Sequence, residues 1–455
     1  MAAKNNPFRC SACDAESLRW SGQCSSCREW NTLEEVNPLE TTSPATPVAV
    51  TDVVTKNFAL LSLGVSEVDR VLNGGVQPGS VTLVAGAPGI GKSTLCLQAA
   101  VYLAGQGEHA LVVAAEESAH QVASRAERLG GGTSTIELLA TSTLDDAAQA
   151  LATTDAALVV IDSISTMTDP TLRSPSGGVT QVRNAAERLS VIARQRNIAL
   201  ILVGHVTKDG DLAGPRALEH LVDTVMTIEG DRHHQRRVVT TTKHRFGPAG
   251  EVGLLELESG GLVSLDDPSA TLLAERGSAL PGSVATVLAE GTRPLVVEIQ
   301  ALVTPAVSTP ARVAQGVSGT RLRQLAAVVD AHCDLGIART DLFVACSGAI
   351  KTTEPAVDVA VVAAITSAFF GHALNQQVVA LGEIGLTGSI RPVLSISRRL
   401  SEAQRVGLTI AVVPVGTEVP AAMTAYPVGT VSELIGVISQ LSRELPQQAR
   451  PIDQE

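Results

Sequence analysis

Nine consecutive residues combine glycines with a cation and two hydroxyls: Gly86-Ala87-Pro88-Gly89-Ile90-Gly91-Lys92-Ser93-Thr94. Glycines let backbone N–H groups close around phosphate oxygens, a lysine reaches the β and γ oxygens, and a serine hydroxyl ligates magnesium. That chemistry needs a strand before the turn and a helix N-terminus after it. The apolar run Val81–Ala85 supplies the predicted strand, and Leu95, Leu97, Ala99 and Ala100 mark a predicted helix directly afterwards. Gly86 to Thr94 is therefore the expected site for ATP with Mg2+.

A magnesium nucleotide also needs a carboxylate at the end of a neighbouring strand. Leu158–Ile161 is an apolar run ending in Asp162, which joins Ser93 as the expected magnesium ligand set. Hydrolysis needs a group that polarises water. Leu111–Ala115 delivers Glu116 and Glu117 to a strand end in the same way; Glu116 is the candidate base, Glu117 the alternative, and one of the two could cap the next helix. His205 follows Leu200–Val203 at the position suited to sensing the γ-phosphate.

Four of the seven cysteines fall within the first 27 residues, as Cys10-x2-Cys13 and Cys24-x2-Cys27 separated by ten residues. Two paired knuckles of thiolates at this spacing predict a tetrahedral Zn2+ site of four sulfurs, with Trp20 and Trp30 expected to cover it. So small a unit has little core, so the metal should supply most of its folding free energy. The odd total and uneven distribution read poorly as a disulfide framework.

These groups have to be positioned by larger elements. Alternating short β-branched runs and helical patterns from about 58 to 263 predict a mostly parallel sheet flanked by helices. The runs Val81–Ala85, Ala110–Ala114, Leu158–Ile161, Leu200–Val203, Thr224–Ile228 and Val238–Thr242 are its strands. A Pro/Thr/Ser-rich stretch beginning at Asn37 is a linker, and a separate α+β segment follows Asp266-Asp267-Pro268. The predicted organisation is a zinc module at 1–36, a linker at 37–57, an ATPase domain at 58–265 and a further domain at 266–455. No repeat at solenoid periods is visible.

Composition narrows the function. The 34 basic and 46 acidic residues give a net charge of −12, which argues against a chain that coats nucleic acid by bulk charge, and six Phe, two Tyr and two Trp are too few for an extended stacking platform. Any polyanion site must be local. Residues 181–250 are such a region, with eleven Lys/Arg against seven Asp/Glu, among them Lys208, Arg216, Lys243 and Arg245. Its glycine-containing loops suit phosphate contacts, either to DNA or to the nucleotide of a neighbouring subunit. The longest apolar stretch, Ala356 to Phe370, is shorter than a bilayer span and contains Asp358, and the N-terminus lacks a signal-peptide core, so a cytoplasmic location without membrane insertion is expected.

The order of these motifs resembles the bacterial RadA (Sms) family of recombination and repair proteins over nearly the whole chain. The resemblance rests on the four-cysteine module, the segment from Leu63 through Asp69 to Val76, the Gly86–Ser93 loop, Glu116-Glu117-Ser118, Asp162, Gly204 to Gly210, and Lys243 to Gly247. It implies a RecA-like P-loop ATPase core with an N-terminal four-cysteine zinc module and a C-terminal α+β Lon-protease-like domain. It further implies hexameric rings, branch migration on single-stranded and branched DNA, helicase-type motor activity, and a RecA-type recombinase as partner. By the same resemblance the loop from Lys208 to Arg216 faces DNA. Lys243 and Arg245 fall in the family's Lys-Asn-Arg-Phe-Gly motif, with His244 at the Asn position. Because an arginine in trans can stabilise transition-state charge, Lys243 and Arg245 are expected at a neighbour's γ-phosphate, with DNA contact as the competing role.

The C-terminal segment is similar to Lon proteases at Thr353 to Ala356 and Gly382 to Pro392, which places Ala356 where the nucleophilic serine belongs and Ser397 where the activating lysine belongs. No peptidase activity is expected. A RecA-fold regulatory ATPase of the circadian-clock kind, acting on protein partners, is the main alternative, and an ATP-dependent protease is a third.

Overall fold

The computed structural model describes residues 8–10, 13, 15–17, 20–35, 59–131, 136–205, 218–230, 235–289, 291–348 and 350–443. The chain forms two compact units, Met1–Asn57 and Phe58–Glu455. The predicted linker and the loop carrying Lys208 and Arg216 lie outside the described residues.

The first unit is built on three short antiparallel strands, β1 (Phe8–Cys10), β2 (Glu16–Ser17) and β3 (Leu33–Glu35), in the order β2-β1-β3. Its core is Cys10, Cys24 and Leu33, packed by Phe8, Ala15 and Cys27. The two tryptophans do not cover it: Trp20 is 59% and Trp30 68% exposed. Among the described residues, three short strands offer no second layer against which an indole could be buried.

The second unit contains two large sheets. The first runs β12-β11-β10-β9-β4-β8-β7-β5-β6. Its strands are β4 (Val81–Gly86), β5 (Ala110–Ala114), β6 (Ile136–Ala140), β7 (Leu158–Asp162), β8 (Ala199–His205), β9 (Thr224–Glu229), β10 (Arg236–His244), β11 (Val252–Glu258) and β12 (Gly261–Ser264). From β9 to β6 all neighbours are parallel, whereas β10, β11 and β12 return antiparallel. The parallel strands are apolar at nearly every position because both faces are covered. Alternate side chains divide between two cores: Val84, Val112, Val160 and Ile201 on one face, Leu83, Val113, Ile161 and Leu202 on the other. On the first face pack α1 (Ser66–Val71), α2 (Lys92–Gly105) and α3 (Ala119–Arg128), and on the second α4 (Leu144–Thr153) and α5 (Val179–Arg196).

The other sheet runs β15-β16-β14-β13-β17-β20-β21. It consists of β13 (Ser283–Leu288), β14 (Leu295–Pro305), β15 (Arg312–Gln315), β16 (Thr340–Cys346), β17 (Val378–Ala380), β20 (Ile410–Pro414) and β21 (Thr424–Val428), while β18 (Glu383–Ile384) and β19 (Ile390–Arg391) form a separate ribbon. The helices of this half are α6 (Pro268–Ala274), α7 (Gly319–Cys333), α8 (Asp358–Phe370), α9 (Ile396–Arg405) and α10 (Val431–Arg443). The apolar stretch noted above becomes α8, in which every residue from Asp358 to Ser367 is buried. A helix apolar all round is a core helix when shorter than a bilayer span. Among the described residues no helix is long and apolar enough to cross a membrane.

Candidate nucleotide site and metal centre

The glycine loop lies between β4 and α2. Gly86 has Ile228 O so close that a Cβ would sit 2.5 Å from it, and Gly91, at φ +116°, turns the chain into the helix. Neither position tolerates a side chain without backbone movement. Lys92 is buried, at 4% exposure, and not on an open loop: its Nζ donates to Gly86 O at 2.9 Å and Ala87 O at 3.0 Å. Burial lowers its pKa, against the opposing charges of Asp162 and Glu116.

Register places the other candidates at the same carboxyl end of the sheet's inner strands. Gly86 stands opposite His205 on β8, Asp162 opposite Val203, and Ala114 opposite Asp162. The strand carrying His205 thus ends across from the loop; its side chain is outside the described residues. Burial raises the pKa of Asp162, whose carboxylate is hydrogen-bonded by Ser93 and faces Glu116, Glu117 and Arg125. Ser93, Glu117, Arg125 and Asp162 line one small cavity.

The two glutamates separate in function through their partners. Glu116 accepts from Ser163 Oγ, the residue after Asp162, whereas Glu117 is tied to Arg125 at 2.7 Å. Neither caps α3. Ser118 does, in a capping box with Gln121, because a serine hydroxyl reaches the free N–H groups from the N-cap position itself.

Lys243 and Arg245 lie at the opposite end of the same sheet. Lys243 pairs with Val225, and Val225 with Leu83; Arg245 N donates to Asp223 O, and Asp223 N to Val81 O. Arg245 is therefore level with Val81, five residues before Gly86. At about 3.3 Å per strand residue this is about 17 Å from its own glycine loop, beyond the reach of its side chain. Arg245 Nη1 contacts Asp223 Oδ1 at 2.8 Å and remains 53% exposed, while Lys243 Nζ donates to Glu219 O and Val222 O. Burial, then the charge of Arg245, lowers the pKa of Lys243. His244 binds Thr224 Oγ1 at 2.9 Å and leaves both cations free of its ring.

The four cysteine sulfurs all lie within 4.8 Å of one another, with Cys10–Cys27 at 3.6 Å and Cys13–Cys24 at 3.7 Å. A zinc ion with bonds of about 2.3 Å to four sulfurs requires them about 3.8 Å apart, so the donor set and spacing fit Zn2+.

In the C-terminal half, Ala356 is buried and offers only a methyl group, and Ser397 is exposed on α9. Nearby in sequence, Glu354 and the buried Arg399 form an ion pair, and Arg399 also donates to Val287 O at 2.7 Å and Leu394 O at 2.9 Å. Ser163, Arg125, Asp223 and Arg237 were not singled out by sequence reasoning. Each meets its partner through strand pairing or helix packing, and Arg237 alone carried a signal, a charge opening an apolar β-branched run.

Residues 44–211 match the AAA domain family model, residues 8–35 the Rubredoxin metal binding domain, and residues 312–427 the Lon protease (S16) C-terminal proteolytic domain. The DNA repair protein RadA of Mycolicibacterium smegmatis is 41% identical over 455 residues, covering 96% of this chain and 97% of that protein. The DNA repair protein RadA of Mycobacterium tuberculosis H37Rv is 43% identical over 446 residues, covering 95% and 92%. The crystal structure of the RadB recombinase is similar over 46% of this chain and 100% of that chain, at 24% identity and a TM-score of 0.38.

Proposed function

The chain belongs to the DNA repair protein RadA family, and from that premise we propose that it is an ATP-driven motor on single-stranded and branched DNA. In this reading it works in homologous recombination as a hexameric ring beside a RecA-type recombinase, promoting branch migration. The observation that carries the ATPase part is the convergence of Lys92, Ser93, Asp162 and Glu116 at the carboxyl ends of β4, β7 and β5. Ser93 and Asp162 hold Mg2+, Lys92 leaves the loop carbonyls for the β and γ oxygens, and Glu116, oriented by Ser163, takes the proton of the attacking water. His205 reports the γ-phosphate.

The distance between Arg245 and its own loop supports action on the next subunit's nucleotide, where Lys243 and Arg245 neutralise charge developing in the transition state. The loop with Lys208 and Arg216 faces DNA. The working parts are then a zinc module at 1–36 held by Cys10, Cys13, Cys24 and Cys27, a linker at 37–57, an ATPase domain at 58–265 and a domain at 266–455 without peptidase activity. A peptidase would need the serine and lysine that Ala356 and Ser397 replace.

The deciding experiment is ATP turnover of the full zinc-loaded chain with and without single-stranded DNA. Stimulation by DNA is expected. Turnover indifferent to DNA would instead favour a regulatory ATPase acting on proteins.

A further inference from the structure

We propose that Arg237 is a positioning residue of the nucleotide loop, acting through the carbonyl of Ile90. The proposal rests on Gly86 to Thr94 being the nucleotide site. Arg237 is the second residue of β10 and is buried, at 4% exposure, an unusual place for an arginine unless its donors are engaged. Its Nε donates to Ile90 O at 2.9 Å and its Nη1 to Arg236 O at 2.8 Å. The loop is thus gripped by cations at two places: Lys92 on the entry carbonyls of Gly86 and Ala87, Arg237 on the carbonyl of buried Ile90, just before the helix N-cap Gly91. Fixing a peptide's carbonyl fixes the direction of its N–H groups, and a phosphate loop works only when those N–H groups point inward.

The surroundings are shaped for this arginine. A Cβ on Gly230 would lie 2.9 Å from Arg237 Cδ and 2.7 Å from Arg236 O, so only glycine leaves room for the stem to pass. Arg236, pointing to the other face of the strand, is held by Glu275 and Glu256, which anchors the strand end from which Arg237 reaches. When a nucleotide arrives, Lys92 is drawn from its two carbonyls to the phosphates, and Arg237 keeps the loop's exit into the helix in place. At least two donors of a planar fork are in use, so lysine can replace only part of the function.

The test is titration of the full chain with ADP and Mg2+, with the melting temperature of the nucleotide-free protein measured alongside. Arg237→Gln is expected to raise the ADP Kd about tenfold, the effect of one charge-assisted hydrogen bond, and Arg237→Lys to raise it less. A folded Arg237→Gln protein with unchanged Kd, even if it melts lower, would overturn the proposal by showing a purely structural arginine. If the glutamine variant does not fold, Arg237→Lys decides: a raised Kd supports the role and an unchanged Kd overturns it. Lys92→Ala, run in parallel, separates the premises. If it too binds ADP normally, the fault lies with the nucleotide-site assignment and not with Arg237.

Discussion

Lys92 is surrounded by carbonyl oxygens, and its removal has two separable consequences. Lys92→Ala deletes the charge aimed at the phosphates, so turnover should fall by about two orders of magnitude or more. It also leaves Gly86 O and Ala87 O without their buried donor, costing about 1 kcal/mol of stability. A melting curve beside the turnover assay checks both, and unaltered turnover would remove Lys92 from the site. Ser163→Ala is a subtler change: Glu116 keeps its carboxylate and loses the hydroxyl that orients it. The expected result is a fall in kcat of about tenfold with KM nearly unchanged, and a change confined to KM would count against Glu116 as the base. The glycine loop was legible in the sequence because its parts are contiguous. Ser163 with Glu116, and Asp223 with Arg245, were not, because each pair is 47 or 22 residues apart and meets only once strands pair.

At the level of elements, the central strands were legible from continuous apolar runs, since a parallel strand buried on both faces carries no polar interruptions. The edge strands β12 and β15 are four residues long and half-exposed, so their sequences carry little pattern. The corner between β12 and α6 shows a contact that sequence could not reveal. Asp267 caps α6 and is held by Arg405 of α9, which depresses its carboxyl to about 2. Because the folded pKa lies below the ordinary carboxyl value near 4, roughly, this contribution is complete above that value and is lost as pH falls toward about 2. Arg405→Gln should therefore melt lower than the parent protein at neutral pH, with the two curves converging as acid is added. Parallel curves down to pH about 2 would show that the pair contributes nothing. The four-cysteine module gives a second prediction. With a core that, among the described residues, comprises Cys10, Cys24 and Leu33 packed by Phe8, Ala15 and Cys27, chelation of zinc should unfold residues 1–36 while the main melting transition of the remaining chain persists. Zinc content by mass spectrometry and circular dichroism report the two events separately.

In the whole molecule, the first sheet holds candidate groups at both ends of its strands: the glycine loop, Asp162 and Glu116 at one end, Lys243 and Arg245 toward the other. The basic character of residues 181–250 was visible in the sequence, but not which end of the sheet each cation would occupy, since that depends on the antiparallel return of β10. Its geometry turns two open roles into one experiment. A subunit with Arg245→Ala retains its own loop and lacks the cation for its neighbour, whereas a subunit with Lys92→Ala lacks the loop and retains the cation. Each is expected to be inactive alone. Mixed together, the intact loop of the first can stand beside the intact Arg245 of the second, so part of the hydrolysis should return, rising with the fraction of mixed neighbours. Recovery by mixing would assign Arg245 to a site between subunits. If mixing restores nothing, while Arg245→Ala protein hydrolyses ATP normally without DNA and has lost only its stimulation by DNA, the arginine belongs to the DNA path instead.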